Sequence, residues 1–498
     1  MIIRHAVRHA VMGCAAVLVL SGCYLYRSQS PAPPVLTATI LTRAAAIEDL
    51  DSLVAIIRDV HPTPAPDLGA ARDSLAGVWP DSLPRLHVWR DLARLAARNA
   101  DGHTSVHLDG LDAEAALTRG ERLWSFAVRR SADAVVVARV VGPDTAVLRR
   151  GDRIVEIAQR PVEELVRALG LAASAELETY RDHKVMNGLG QRLWAEGIRP
   201  PAEVRVIGLD GAARTVSIQG AVKAELVAAN AGPQSEVGSL TVRRTPDSLL
   251  VLDFPRMWGD RKAFTARLDS AFEAPNVTGV RAVVVDLRRN GGGDSDWGIE
   301  LLSYVTSNPL DEGIRKEWKG SRRYRAHIKS GVTPLIRGWL PFSWVDDPFG
   351  GFFSGPDGTV AIFPFTPKRP PANARRVALP VCLLIGPQTF SSAMMLANTA
   401  RRSKVATLIG EPTGEPPNAG GEIYSFHLPR SGLNGQVSSA RFILDEDPMG
   451  DRRGVQPHVR VVATREEIAR GHDPVMERAK RCGRMATTDL PKASPGPS

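Results

Sequence analysis

The sequence predicts a multidomain α/β protein. Three observations carry this: helical periodicity near the N-terminus, short β-branched runs in the middle, and strands alternating with helices from residue 234 onward. With 498 residues, 43% of them apolar, the chain can bury several cores. Ile47, Leu50, Leu53, Val54 and Ile57 fall three and four apart, so they share one face of a helix that ends before Pro62. Val88, Leu92, Leu95 and Ala96 predict a second helix ending near Asn99, and Asp101-Gly102-His103-Thr104 follows in a turn leading into a short strand. These make a helical segment over 41–118. Residues 119–222 read as a separate β-rich unit. Val135 to Val141 is a continuous strand-like run and Gly151 to Ile157 enters a second strand. A helical run covers about 162–198, and Val204 to Ile207 closes the unit before the turn Gly208 to Gly211. In the α/β core, 234–470, the strands are Leu249 to Leu252, Val283 to Val285, Val381 to Ile385 and Ala406 to Ile409, with an amphipathic helix at Phe264 to Phe272. From 471 to 498 the composition turns basic and polar and ends among Pro491, Pro495 and Pro497, as expected of a frayed tail.

The net charge of +9 is arginine scattered along the chain. No cluster of basic residues stands beside aromatics, so no nucleic-acid partner is expected. Arg4 and Arg8 precede the apolar run Val11 to Leu20, which is too short for a finished membrane span and reads as the core of a signal peptide over 1–22. Leu20-Ser21-Gly22-Cys23 resembles the bacterial lipobox, which implies that Cys23 is acylated and becomes the mature N-terminus. Tyr24, rather than Asp, then resembles the outer-membrane sorting pattern of Gram-negative lipoproteins. Several acyl chains anchor stably where one does not. Residues 23–40, with Pro31, Pro33 and Pro34, would be the lipidated cysteine and its tether. The expected location is the periplasmic face of the outer membrane. Cys14 leaves with the signal, and Cys382, in an apolar strand, is expected to be a buried thiol rather than half of a framework with Cys482.

Three constellations offer chemistry. In Asp286-Leu287-Arg288-Arg289-Asn290-Gly291-Gly292-Gly293, glycines after a buried strand let the backbone approach a ligand and direct N–H groups at it, although a glycine triplet is most often just a tight turn. In Thr389-Phe390-Ser391-Ser392-Ala393, a serine stands between a strand and a helix, where free amides and the helix dipole favour developing negative charge. Taken alone, Ser391 reads first as a helix cap, the commoner use of serine there. His103, near a helix end, is on local grounds structural. His107 lies four residues on in an extended segment, and no H-E-x-x-H occurs, so no metal or other cofactor is expected. The absence of G-x-S-x-G speaks against an α/β-hydrolase nucleophile elbow, and Gly293-Asp294-Ser295 is set aside because it falls inside the glycine motif.

Together, over roughly residues 41–470, these features resemble the tail-specific (C-terminal-processing) and tricorn-type serine peptidases. Asp-Leu-Arg-x-Asn-x-Gly-Gly at 286–293, the Thr-x-Ser turn, Gly410-Glu411-Pro412-Thr413-Gly414 nineteen residues after the serine, and Gly454-Val455-Gln456-Pro457 occur in the family's order. The resemblance implies a ClpP/crotonase-like α/β core and a PDZ-like domain at 119–222. Gly151 to Ile157 is similar to a PDZ strand entry, but Leu123-Trp124-Ser125-Phe126 stands where a carboxylate-holding loop is expected, which suits a structural or gating role. It also selects Ser391 over Ser392 as nucleophile. The place of the processing peptidases' lysine falls at Pro416, which excludes a Ser–Lys dyad, so the histidine-using branch is implied, with His103 as general base. Asp451, three residues before the Gly-Val-x-Pro glycine, would orient His103, and the Gly292 and Ser392 amides would hold the oxyanion. Such an enzyme hydrolyses protein or peptide substrates through an acyl-enzyme. Two other readings remain at this stage: a non-catalytic protein binding a lipophilic ligand or peptide on the same fold, and a scaffold working through the PDZ-like unit.

Overall fold

A computed structural model describes residues 39–132, 134–230, 240–331, 352, 355–447 and 452–483. The leader with Cys23, and Asp451, lie outside them. The chain forms two compact units: one holds the chain up to Asp109 with Arg315–Pro364 and Gly420–Phe442, the other Gly110–Ile314, Phe365–Ala419 and the chain from Ile443. No described helix is long and apolar enough to cross a membrane.

In the first unit the predicted helices are Arg43–Val60 and Arg85–Ala97, and a third, Leu68–Val78, lies between them. Thr42 Oγ accepts the Ala45 N–H at 3.2 Å and so starts the first helix. Pro62 forces His61 out of helical geometry and stops it. Leu50, Leu53 and Ile57 on its inward face are fully buried, worth roughly 1.5–3 kcal/mol each. A sheet ordered Thr359–Pro364, Arg315–Gly320, Asn434–Ile443, Ala419–His427 completes the unit. Ser105–Val106 pairs antiparallel with Asn434–Ile443, Val106 opposite Gly435, and this fixes the turn that carries His103.

The second unit holds two sheets. One is β-rich: Phe126–Ser131, Ala134–Val140, Arg153–Ile157, Ala202–Ile207 and Ala213–Ile218 run in that order, antiparallel throughout, with Arg160–Pro161 on the third. The predicted helical run resolves into Val162–Gly170, Glu178–Asn187 and Leu189–Ala195. The other sheet orders Thr241–Arg244, Leu249–Asp253, Ala282–Asp286, Val381–Ile385, Thr407–Gly410 and Val459–Arg460. All its pairings are parallel except the first. Val283, Val284, Val285, Leu383, Leu384 and Ile385 are fully buried, as unbroken apolar runs in parallel strands require.

The thiol expectation at Cys382 is corrected: its sulfur is bonded to that of Cys482. The Cα atoms are 6.1 Å apart, within bridging reach. The cause is tertiary. Helix Pro474–Ala479 packs on the strands Val381–Ile385 and Thr407–Gly410 and delivers Cys482 into the apolar cluster of Leu249, Val284, Leu384 and Ile409 that already holds Cys382.

Candidate active site

Register places the three motifs side by side. Asp286 pairs with Leu384 and Ile385 with Gly410, so the Asp-Leu-Arg, Thr-x-Ser and Gly-Glu-Pro-Thr-Gly segments leave adjacent parallel strands at the same carboxyl edge. That is where open α/β sheets bind ligands.

The serine turn is held from both sides. Thr389, fully buried, donates through Oγ to the Leu287 carbonyl at 2.8 Å and accepts the Gly386 N–H at 3.0 Å. Phe390 N–H donates to the Asn290 carbonyl at 3.1 Å. Ser391 then stands at φ 53° and ψ −130°, directly before helix Ser392–Arg402. Its side chain makes no helix-capping bond, which disposes of the cap reading. A serine with positive φ costs about 1–3 kcal/mol and persists only where its surroundings over-determine it. Ser392 Oγ donates to the Gly293 carbonyl at 2.5 Å.

The glycine turn fits against this serine. Asn290, fully buried, donates through Nδ2 to the Phe254 carbonyl at 2.7 Å, and its Oδ1 accepts the Gly292 N–H at 2.8 Å. Gly292, at φ 96°, has no room for a side chain: a Cβ would lie 2.7 Å from Ser391 Cβ and 2.9 Å from Ser392 N. Its amide, expected to face an oxyanion, is thus engaged by Asn290. Gly293 is bridged to Met257, and a Cβ there would lie 2.2 Å from the Met257 carbonyl oxygen.

Two neighbours were not visible in the sequence. Glu415, only 1% exposed, accepts the Ser391 N–H on Oε2 at 2.7 Å. Tyr180, from helix Glu178–Asn187 of the β-rich part, stacks on Phe390 with ring centroids 4.6 Å apart. Burial, and then the charges of Glu415 and Glu176, push its hydroxyl pKa well up, so it stays protonated.

His103 lies in the other unit, buried in its turn. His61 Nδ1 accepts the Thr63 N–H at 3.1 Å, so the ring proton sits on Nε2 and is donated to Asp101 Oδ2 at 3.0 Å. Asp101 also accepts the His103 N–H at 2.9 Å and Thr104 Oγ at 2.6 Å. Burial is the largest influence on this carboxyl and opposes its charge. The hydrogen bond from the His61 ring, with the His103 and His61 imidazoles and the Ser438 hydroxyl close by, outweighs burial, and the pKa falls well below the usual carboxylate range. In the sequence Asp101 stands out only as part of Asp-Gly-His-Thr, and nothing local marks His61.

The strained serine between a parallel strand and a helix, faced by a glycine turn at the carboxyl edge of the sheet, is the candidate hydrolase site. Residues 249–461 match the model of peptidase family S41, and the α/β core belongs to that family of serine-type peptidases. No curated protein matches the chain in sequence. Among solved structures, mature CPAF complexed with lactacystin is 15% identical over 88% of this chain and 98% of its own, with a TM-score of 0.60. The photosystem II D1 C-terminal processing protease is 15% identical over 89% and 98%, with a TM-score of 0.41. At these identities the first likeness speaks for the fold, and the motifs speak for the chemistry.

Proposed function

We propose that the protein is a serine peptidase of the histidine-using kind, with Ser391 as nucleophile and His103 as general base. The observation that carries this is Ser391 itself, held at positive φ with no capping role beside a glycine turn that admits no side chain. A serine hydroxyl needs a positioned base, and a near-neutral imidazole meets that need. His103 takes the Ser391 proton as Oγ attacks the peptide carbonyl, then gives it to the leaving amine. Water hydrolyses the acyl-enzyme. Ser392, its hydroxyl already engaged with Gly293, serves through its N–H as one oxyanion donor. Because Asn290 holds the Gly292 amide, we assign the second donor to the Gly293 N–H, which takes no partner among the described residues. Asp451 as orienter of His103 stays part of the proposal.

Fluorophosphonate labelling and peptide turnover test this reading. Ser391→Ala abolishes both and His103→Ala lowers turnover about as far, because members of one catalytic unit are not additive. Ser392→Ala keeps its amide and stays active. A dead Ser392→Ala beside an active Ser391→Ala overturns the assignment. Unlabelled wild type that binds a lipophilic ligand or peptide without hydrolysis supports the binding-protein reading instead.

We also propose export as a lipoprotein. The basic and apolar leader with Leu-Ser-Gly-Cys supports it, and so does the Cys382–Cys482 bridge, since disulfides persist in oxidising compartments. Mass spectrometry of the mature N-terminus should find acyl chains on Cys23, and Cys23→Ser should leave the membrane fraction. An unmodified Cys23 would sink this part.

A further inference from the structure

We infer that Glu415 is a positioning residue for the nucleophile, an inference that rests on Ser391 having that role. The carboxylate is 1% exposed and takes the Ser391 N–H at 2.7 Å. Ser391 sits in a backbone conformation that L-residues rarely adopt, so a fixed acceptor on its amide selects that conformation against the ordinary ones. An acceptor can do this only if it cannot move, and the turn that carries Glu415 is clamped at both ends. Glu411 N–H donates to the Ile385 carbonyl at 3.1 Å and Gly414 N–H to the Thr389 carbonyl at 3.1 Å, tying the turn to the serine loop. Thr413 Oγ donates to the Glu415 carbonyl at 2.9 Å and accepts the Val455 N–H at 2.7 Å, tying it to the Gly-Val-x-Pro segment. Gly414 is locked in contact: a Cβ there would lie 2.0 Å from the Pro387 carbonyl oxygen and 2.5 Å from the Tyr180 ring. The Gly-Glu-Pro-Thr-Gly segment is thus a mount whose working end is the carboxylate one residue beyond it. Glu415 is assigned no proton transfer, and its hold on the nucleophile is through the Ser391 amide.

Glu415→Ala removes the acceptor and should lower kcat, and the rate of fluorophosphonate labelling, by about a hundredfold with KM within a fewfold of wild type. Glu415→Gln keeps an oxygen acceptor and should recover labelling to within about tenfold, with the pH profile of kcat unmoved. Thermal melts of both variants establish that they fold. A Glu415→Ala variant that labels like wild type overturns the inference. A Glu415→Gln variant as slow as the alanine one, or one with a displaced pH profile, overturns it too, because the charge and not the acceptor would then matter. If Glu415→Ala does not fold, Glu415→Gln alone decides by the same criterion. Ser391→Ala run in parallel separates the two readings: retained labelling there defeats the nucleophile assignment, and lost labelling beside a wild-type-like Glu415→Ala defeats only the positioning role.

Discussion

Asp101 is a buried carboxylate whose charge is stabilised by donors from two places, His61 at a helix end and its own turn at His103 and Thr104, with the Ser438 hydroxyl of a strand close by. Gly420 completes the fit, because a Cβ there would lie 2.6 Å from Asp101 Oδ1 and 2.5 Å from Ser438 Oγ. The arrangement fixes the backbone of His103, so it is the means by which this unit presents its histidine. Asp101→Asn puts an amide N–H₂ among groups that donate, and it should cost about 3 kcal/mol, as when one partner of a buried ionic pair is lost. The sign with pH follows from the direction of the shift. A carboxyl whose folded pKa is depressed contributes stability that is present above its ordinary value of 3.8 and is lost as pH falls through the folded value. Melting temperatures of wild type and Asp101→Asn should therefore differ most near neutrality, begin to approach each other as pH falls below about 3.8, and meet only below the depressed folded value. A gap independent of pH would mean that shape, not charge, holds the turn.

At the scale of elements, what the sequence showed clearly was whatever repeated with a period. The apolar runs at 283–285 and 381–385 are central parallel strands, and the three-and-four spacing from Ile47 to Ile57 is the inward face of Arg43–Val60. Helix Leu68–Val78 escaped because only Leu68 and Ala76 are buried, so it has no continuous apolar stripe, and prolines 62, 64 and 66 before it read as loop. The sequence also marked Ser391, the glycine turn and the Gly-Glu-Pro-Thr-Gly segment, but not why they belong together. Their common place is a product of strand order, since Ala282–Asp286, Val381–Ile385 and Thr407–Gly410 become neighbours only in the sheet. Glu415 and His61 carried no signal for the same reason. Each reaches the site by a hydrogen bond to a residue 24 or 40 positions away. Likewise, the engagement of the Gly292 amide depends on the rotamer of Asn290, which no spacing encodes.

Over the whole chain, long-range closure matters most at the Cys382–Cys482 bridge, whose partners stand 100 residues apart. The loop it closes contains the serine turn, helix Ser392–Arg402 and the segment bearing Glu415, so the bridge restrains the unfolded state of the site itself. On the chain-entropy account a loop of about 100 residues gives roughly 4.7 kcal/mol, although strain and residual structure in the unfolded chain reduce such values. Paired replacement, Cys382→Ser with Cys482→Ser, adds a second cost by placing hydroxyls in an apolar cluster, so Cys382→Ala with Cys482→Ala is the cleaner variant. It should melt several degrees lower than the oxidised protein and accumulate less well. Its peptidase activity below the transition should be close to wild type, because neither cysteine contributes to the serine turn. Oxidised wild type treated with a strong reductant under partly denaturing conditions should approach the melting temperature of the alanine pair. If oxidised and reduced protein melt together, the bridge does not restrain the unfolded chain, and its support for an oxidising compartment falls with it.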